Sequence, residues 1–65
     1  MEALDLAIIK RLTLENKDIS KELGISVLAI KNTIHRLLKS LGCTTRTQLL
    51  IKVIRTGLVE LEEVR

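Results

Sequence analysis

The sequence contains no aromatic residue and no proline, and only three of its 65 residues are glycine. Without Phe, Tyr or Trp, a core must be built from aliphatic side chains, and Leu, Ile and Val are plentiful. Without proline, the glycines are the natural places for helices to end. The composition therefore predicts one small all-α domain over residues 1–65, with breaks near Gly24, Gly42 and Gly57.

The single cysteine argues against a protein stabilised by intramolecular disulfides, and the short apolar runs argue against a transmembrane protein. Cys43 cannot form an intramolecular disulfide, which fits a reducing compartment, and we expect it to be a small buried apolar residue. No apolar run approaches the roughly 20 residues of a transmembrane helix. The N-terminus has acidic residues before basic ones, the reverse of a signal peptide. We therefore expect a soluble, cytoplasmic protein with no membrane partner.

Catalytic and ligand-binding motifs are lacking as well. The sequence has no paired catalytic groups and no glycine-rich phosphate loop. Its one histidine, His35, has no second metal ligand placed near it. We therefore expect no enzyme activity, no metal, no cofactor and no small-molecule substrate.

Charge is distributed unevenly along the chain. The formal net charge is +3, but the stretch from Leu23 to Val59 holds basic residues and no acidic one. Such a block attracts polyanions such as nucleic acid. A solvated basic face would look the same, so charge alone leaves the partner open.

Apolar residues that recur at spacings of three and four predict a four-helix bundle. The predicted helices cover residues 2–12, 17–23, 27–41 and 46–56. In helix 1, Leu4, Ile8 and Leu12 form the stripe that we expect to be buried. The last residues of the chain, which are acidic and alternating, are expected to fray.

Polar residues at the predicted helix starts are suited to capping. Asn16 is the expected N-cap of helix 2, and Ser26 that of helix 3. Thr45 and Gln48 form a T-x-x-Q capping box for helix 4. Helices 2 and 3, joined by a tight turn at Gly24, have the pattern of a helix-turn-helix, although generic helical hairpins share it.

Five short segments strengthen this interpretation. They read N-K-D-I-S (16–20), L-G-I-S (23–26), I-K-N (30–32), L-G-C followed by R-T (41–47) and R-T-G-L (55–58). In this order and spacing, residues 8–59 resemble the C-terminal domain of LuxR/GerE-type transcription regulators, the group that includes the NarL and FixJ response regulators. The resemblance implies a response-regulator effector domain that binds double-stranded DNA, with helix 3 in the major groove.

The helical wheel of helix 3 agrees with the base contacts that the resemblance implies. Lys31, Asn32 and His35 hold the base-contacting positions of the family, and they lie opposite the predicted buried stripe. Lysine can donate to guanine, and asparagine can pair with adenine. Leu28, beside them, is suited to thymine methyl groups. Each of these polar residues can also be read as an ordinary surface residue.

Candidate phosphate contacts surround that face. Such contacts position a protein on DNA without reading sequence, and the N–H groups at the start of helix 2 add to them. We expect the basic members to be exposed, so that replacing them hardly changes stability. The candidates are Asn16, Lys17, Ser26, Arg36, Lys39 and Arg46.

Helix 4 carries five apolar residues, of which a core of this size can hide about three. We therefore expect a homodimer through helix 4, as the resemblance also implies, with Leu50, Ile51 and Ile54 at the interface. The alternative is that all five pack internally.

A second function remains open at this stage. Val27 and Leu28 replace polar residues at the tip of helix 3, and Ala29 stands where the family has a threonine. An apolar tip favours a degenerate helix-turn-helix that acts as a protein–protein interaction module.

Overall fold

The computed structural model describes residues 2–64, which contain four α-helices and no strand. This confirms the predicted all-α fold. None of these helices has the length and apolar character needed to cross a membrane. The elements are α1 (Ala3–Ile9), α2 (Asn16–Leu23), α3 (Val27–Ser40), α4 (Arg46–Arg55) and a 3₁₀ helix, Leu61–Glu63.

The core is aliphatic throughout, as the lack of aromatic residues requires. Every α-helix contributes to it, and burial of these side chains is the main force that stabilises the bundle. Its buried apolar members are Ile8, Ile9, Leu12, Ile19, Ile30, Ile34, Leu37, Leu49, Val53 and Val59.

Helix α1 is shorter than predicted and ends at Ile9 rather than at residue 12. After Ile9 the backbone tightens, because the N–H of Arg11 bonds to the carbonyl of Ile8 at 2.9 Å instead of to that of Ala7. The Arg11 guanidinium then donates to the Ala7 carbonyl at 2.8 Å, which satisfies a helix-end acceptor. Leu12 is still buried, although it lies outside the helix.

The predicted burial pattern of α1 is partly wrong. Leu4 is exposed, whereas Asp5 is buried, with only 5% of its surface exposed. Burying a carboxylate costs free energy unless it is paired with a cation. Arg36 of α3 supplies that partner, with Nη2 donating to Asp5 Oδ1 at 2.6 Å.

Helix α2 begins one residue earlier than predicted, and Asn16 is not its N-cap. Glu15 holds the N-cap position, without a side-chain capping bond, and Asn16 is the first helical residue. The Asn16 side chain is occupied elsewhere, since its Oδ1 accepts a hydrogen bond from Arg46.

The turn between α2 and α3 has the predicted glycine geometry. Gly24 adopts φ 68°, a left-handed conformation that costs other residues energy, and its N–H bonds to the Ser20 carbonyl at 2.9 Å. The Ser20 hydroxyl also donates to the Ile25 carbonyl across the turn. Ser20 therefore holds the turn closed through both its carbonyl and its hydroxyl.

Helix α3 has the predicted N-cap and a well-formed end. The Ser26 side chain accepts from the Ala29 N–H, which confirms its capping role. At the other end, Cys43 N–H bonds to the Leu38 carbonyl and Gly42 N–H to that of Lys39, the two bonds of a Schellman motif. Cys43 is half-buried rather than buried.

The capping box of α4 forms only in part. Thr45 is the N-cap and accepts from the Gln48 N–H, as predicted. Gln48 Oε1, however, accepts from the N–H and hydroxyl of Thr44 instead of from the Thr45 backbone. The chain after α4 does not simply fray, because Val59 is buried and a short 3₁₀ helix follows.

Candidate nucleic-acid interface

The outer face of α3 carries the four residues that we predicted to contact bases. Leu28, Lys31, Asn32 and His35 are all exposed, and Leu28 is 65% exposed. Spacings of three and four place them on one side of the helix over about 10 Å. The buried residues of α3 lie on the opposite side. We call these four residues the reading face.

The polar members of the reading face have their hydrogen-bonding groups available. Among residues 2–64, Lys31, Asn32 and His35 have no side-chain hydrogen bond and no ion pair. An ammonium, a carboxamide and an imidazole together offer donors to both guanine and adenine edges. The major groove of B-DNA, about 12 Å wide, admits such a helix.

Two basic residues flank the reading face. Lys39 is exposed and has no ion-pair partner among residues 2–64. Arg36 has 56% of its side chain exposed, although one nitrogen bonds to Asp5. Both are therefore accessible to a phosphate. They lie three residues apart on α3, so they are neighbours on the helix surface.

The N-terminal ends of α2 and α3 hold two further candidates. Ser26 uses its hydroxyl oxygen as the acceptor of the Ala29 N–H, at 3.1 Å, which leaves its O–H free to donate. Lys17 is exposed and lies 3.6 Å from a carboxylate oxygen of Glu15. The side chains of Lys17 and Glu15 are both largely exposed, so the ion pair between them is weak.

Arg46 differs from the other candidates, since it is not the exposed cation that the sequence suggested. It is half-buried, and its guanidinium donates to the carbonyls of Leu12 (2.8 Å) and Leu14 (2.5 Å) and to Asn16 Oδ1 (2.5 Å). Burial lowers the pKa of the Arg46 guanidinium, which nevertheless stays charged at neutral pH. Arg46 and Asn16 therefore have a structural role, and phosphate contacts from them stay a prediction.

The apolar residues of α4 divide into three environments. Leu49 and Val53 are fully buried, while Leu50 and Ile54 pack at the edge of the core. Ile51 is 49% exposed, so the five residues do not all pack internally. Ile51 also lines an open groove of about 390 Å³ together with Gly42, Cys43, Gln48, Lys52, Arg55 and Thr56.

Two contacts that shape this surface were not predicted from the sequence. Asp5 is the buried partner of Arg36, and Ser20 closes the turn before α3. A signal for Asp5 existed, since it is an acid within an apolar helix and the basic stretch further along offers it partners. Nothing in the sequence shows which basic residue it meets.

Comparisons with known proteins add no further support. No family model, curated protein or solved structure matches this chain. The resemblance to LuxR/GerE-type domains rests on the sequence segments quoted above and stays a prediction.

Proposed function

We propose that this chain is a sequence-specific, double-stranded DNA-binding domain of a transcription regulator, with α3 in the major groove. The observation that carries the proposal is the reading face. Donor-bearing side chains with no intramolecular partner among residues 2–64 lie along one side of the helix that follows a tight glycine turn. Water solvates these exposed groups in the free protein, and base edges in the major groove would replace that water on binding.

The electrostatics support a polyanionic partner. The stretch from Leu23 to Val59 contains no acid, and within it only Arg36 forms an ion pair with a described acid. Lys31 and Lys39 therefore present their full charge to solvent. Neutralising DNA phosphates with such cations releases condensed counterions, which favours binding at low salt.

The residues would divide the work of recognition. Lys31 is suited to donate to guanine, Asn32 to pair with adenine, and Leu28 to contact a thymine methyl group. His35 can donate to one base edge through a ring N–H. The flanking Lys39 would contact the DNA backbone, as would Lys17, Ser26 and Arg36.

A homodimer through α4 belongs to the same proposal. Ile51 is exposed, and Leu50 and Ile54 lie beside it, so the three give an apolar strip that a second copy would cover. Twofold symmetry would place two copies of α3 about one DNA turn apart. By its resemblance, the chain would act as a response-regulator effector domain in the cytoplasm.

Selection of binding sites from random duplex DNA tests the proposal directly. We expect an enriched motif, and roughly four to six phosphate contacts per monomer should give a log–log salt slope of about −4 to −5. Binding without any sequence enrichment would contradict specific recognition. Affinity that does not change with salt would contradict the electrostatic account as well.

A protein–protein interaction module is the second candidate, because the tip of α3 is apolar. Val27 and Leu28 are both exposed there. In this case, Leu28→Ser should abolish capture of a protein partner, while DNA binding should be weak and equal for all sequences. In the DNA-binding case, Leu28→Ser should alter preference mainly at one thymine position.

A further inference from the structure

We infer that Asp5 of α1 is a positioning residue for DNA binding, because it holds the Arg36 guanidinium at the edge of the reading face, where a phosphate can bind it. This inference rests on the proposed DNA-binding function. It assigns a role in recognition to α1, the helix that carries none of the predicted base or phosphate contacts.

The geometry of the pair is asymmetric. The Asp5 side chain is 7% exposed, whereas the Arg36 side chain is 56% exposed, and Nη2 of Arg36 lies 2.6 Å from Oδ1 of Asp5. The carboxylate is therefore fixed within the protein, while much of the guanidinium faces solvent. A guanidinium carries five N–H donors in a rigid fork, so one bond to Asp5 leaves donors for a second anion.

The position of Arg36 on α3 suits that second anion. Arg36 lies one helical turn after Asn32 and three residues before Lys39, so all three are neighbours on the helix surface. A backbone phosphate that borders the groove read by Asn32 would meet Arg36 and Lys39 together. Phosphate contacts of this kind fix the register of a recognition helix.

Holding the arginine in advance has a physical benefit. A free arginine side chain loses considerable rotamer entropy when it is ordered on a ligand. The bond to Asp5 removes part of that freedom before DNA arrives, so less is lost on binding. An acid near DNA would otherwise only repel it, and Asp5 avoids most of that effect because its charge is buried and paired.

The direction in which DNA affinity changes in Asp5→Asn shows whether Asp5 positions Arg36 or acts only through its negative charge. Asp5→Asn removes a negative charge, so a purely electrostatic view predicts tighter DNA binding. Positioning predicts weaker binding, because Arg36 becomes free to adopt other rotamers. The matched control is Glu2→Gln, which removes an acid from an exposed site at the start of the same helix.

The experiment measures affinity and salt slope on a mixed-sequence duplex and on the selected site, at a temperature where circular dichroism shows folded protein. We expect Asp5→Asn to bind about 3- to 10-fold more weakly, with a slope shallower by about one. Glu2→Gln should bind as the wild type does or slightly more tightly. Arg36→Ala should be as weak as the double variant Asp5→Asn/Arg36→Ala.

A second variant decides the matter if Asp5→Asn does not fold. Arg36→Lys keeps the charge but loses the fork, so it cannot hold Asp5 and a phosphate together, and we expect a similar loss of affinity. Lys21→Arg is its control, because Lys21 is an exposed lysine of α2 outside the predicted DNA contacts, and it should bind as the wild type does. Wild-type affinity and slope in Asp5→Asn, or in Arg36→Lys, would overturn the inference while leaving DNA binding intact. Absence of DNA binding by the wild type would overturn both.

Discussion

The carboxamide of Asn16 and the guanidinium of Arg46 meet across 30 residues of sequence, with Oδ1 of Asn16 accepting from Nη1 at 2.5 Å. The same guanidinium donates to the backbone carbonyls of Leu12 and Leu14. Within residues 2–64, neither of these two carbonyls accepts a hydrogen bond from a backbone N–H. One side chain at the start of α4 therefore satisfies acceptors that would otherwise rely on water.

Arg46→Ala should destabilise the domain rather than act only on DNA binding. It removes three hydrogen bonds from a charged donor, and we expect the free energy of unfolding to fall by about 2–3 kcal/mol. Arg55→Ala is the control, because Arg55 is an exposed arginine of the same helix and should change stability by less than about 0.5 kcal/mol. Urea denaturation measures both, and equal midpoints would contradict this role for Arg46.

Residues of the reading face should behave differently from the basic residue beside it. Lys31→Ala or Asn32→Ala should cost about 1–3 kcal/mol on the best site and relax preference at one base pair. Lys39→Ala should weaken binding to all sequences alike and make the salt slope shallower by about one. Binding-site selection with each variant separates the two patterns. Uniform weakening by Lys31→Ala, with no altered base preference, would mean that α3 does not read the groove in this register.

Ile51→Glu should disrupt the proposed dimer with little cost to folding. Ile51 is the most exposed of the three proposed interface residues, so a charge there opposes association while water still reaches it. Lys52→Gln changes an exposed residue of the same helix outside the proposed interface, and it should weaken association less than Ile51→Glu does. Sedimentation across a concentration series measures the effect. A wild type that remains monomeric at high concentration, with and without DNA, would exclude this interface.

The pKa of Glu63 should respond to Lys10. The backbone N–H of Glu60 and then the Lys10 ammonium, 3.1 Å away, hold the pKa of Glu63 below its ordinary value. In Lys10→Ala this pKa should rise but stay below that value, because the backbone bond remains. Carboxyl titration by NMR measures the change, with Lys31→Ala as the control. An unchanged Glu63 pKa would mean that the ion pair is absent in solution.

Glu60 and Glu63 change the stability of the fold in opposite directions as pH changes. Because the pKa of Glu63 is lowered in the folded state, its contribution is present above the unfolded pKa and is lost as pH falls through the folded one. The pKa of Glu60 is raised, first by the hydrogen bond with Glu62 and then by the charge of Glu63. The stability that Glu60 contributes is therefore present at low pH and is lost as pH rises through its folded pKa. The pH dependences from Glu60 and Glu63 partly cancel.

Local sequence signals predicted most of the fold. Three helices began and ended within one residue of their predicted limits, and Ser26, Thr45 and Gly24 have the expected roles. Each of these features depends on residues only a few positions apart. The exposed side of α3 also followed from periodicity, since its buried residues are regularly spaced.

Features that depend on distant partners could not be predicted. The buried Asp5 and the half-buried Arg46 both result from contacts with residues at least 30 positions away in sequence. Periodicity assigns a charged residue to the surface by default, because an unpaired buried charge is costly. Only the three-dimensional structure shows that Asp5 and Arg46 have partners.

The distribution of these contacts has a consequence for how the chain folds. The contacts that close the α2–α3 turn join residues four or five positions apart, whereas the Asp5 and Arg46 contacts join residues at least 30 apart. Loop-closure entropy therefore favours early formation of the α2–α3 hairpin, with α1 and the start of α4 docking afterwards. Substitutions at Ser20 should slow refolding, whereas those at Arg46 should mainly speed unfolding. Chains that have just crossed the folding barrier would already contain α3 with its reading face, while Arg36 would not yet be bonded to Asp5.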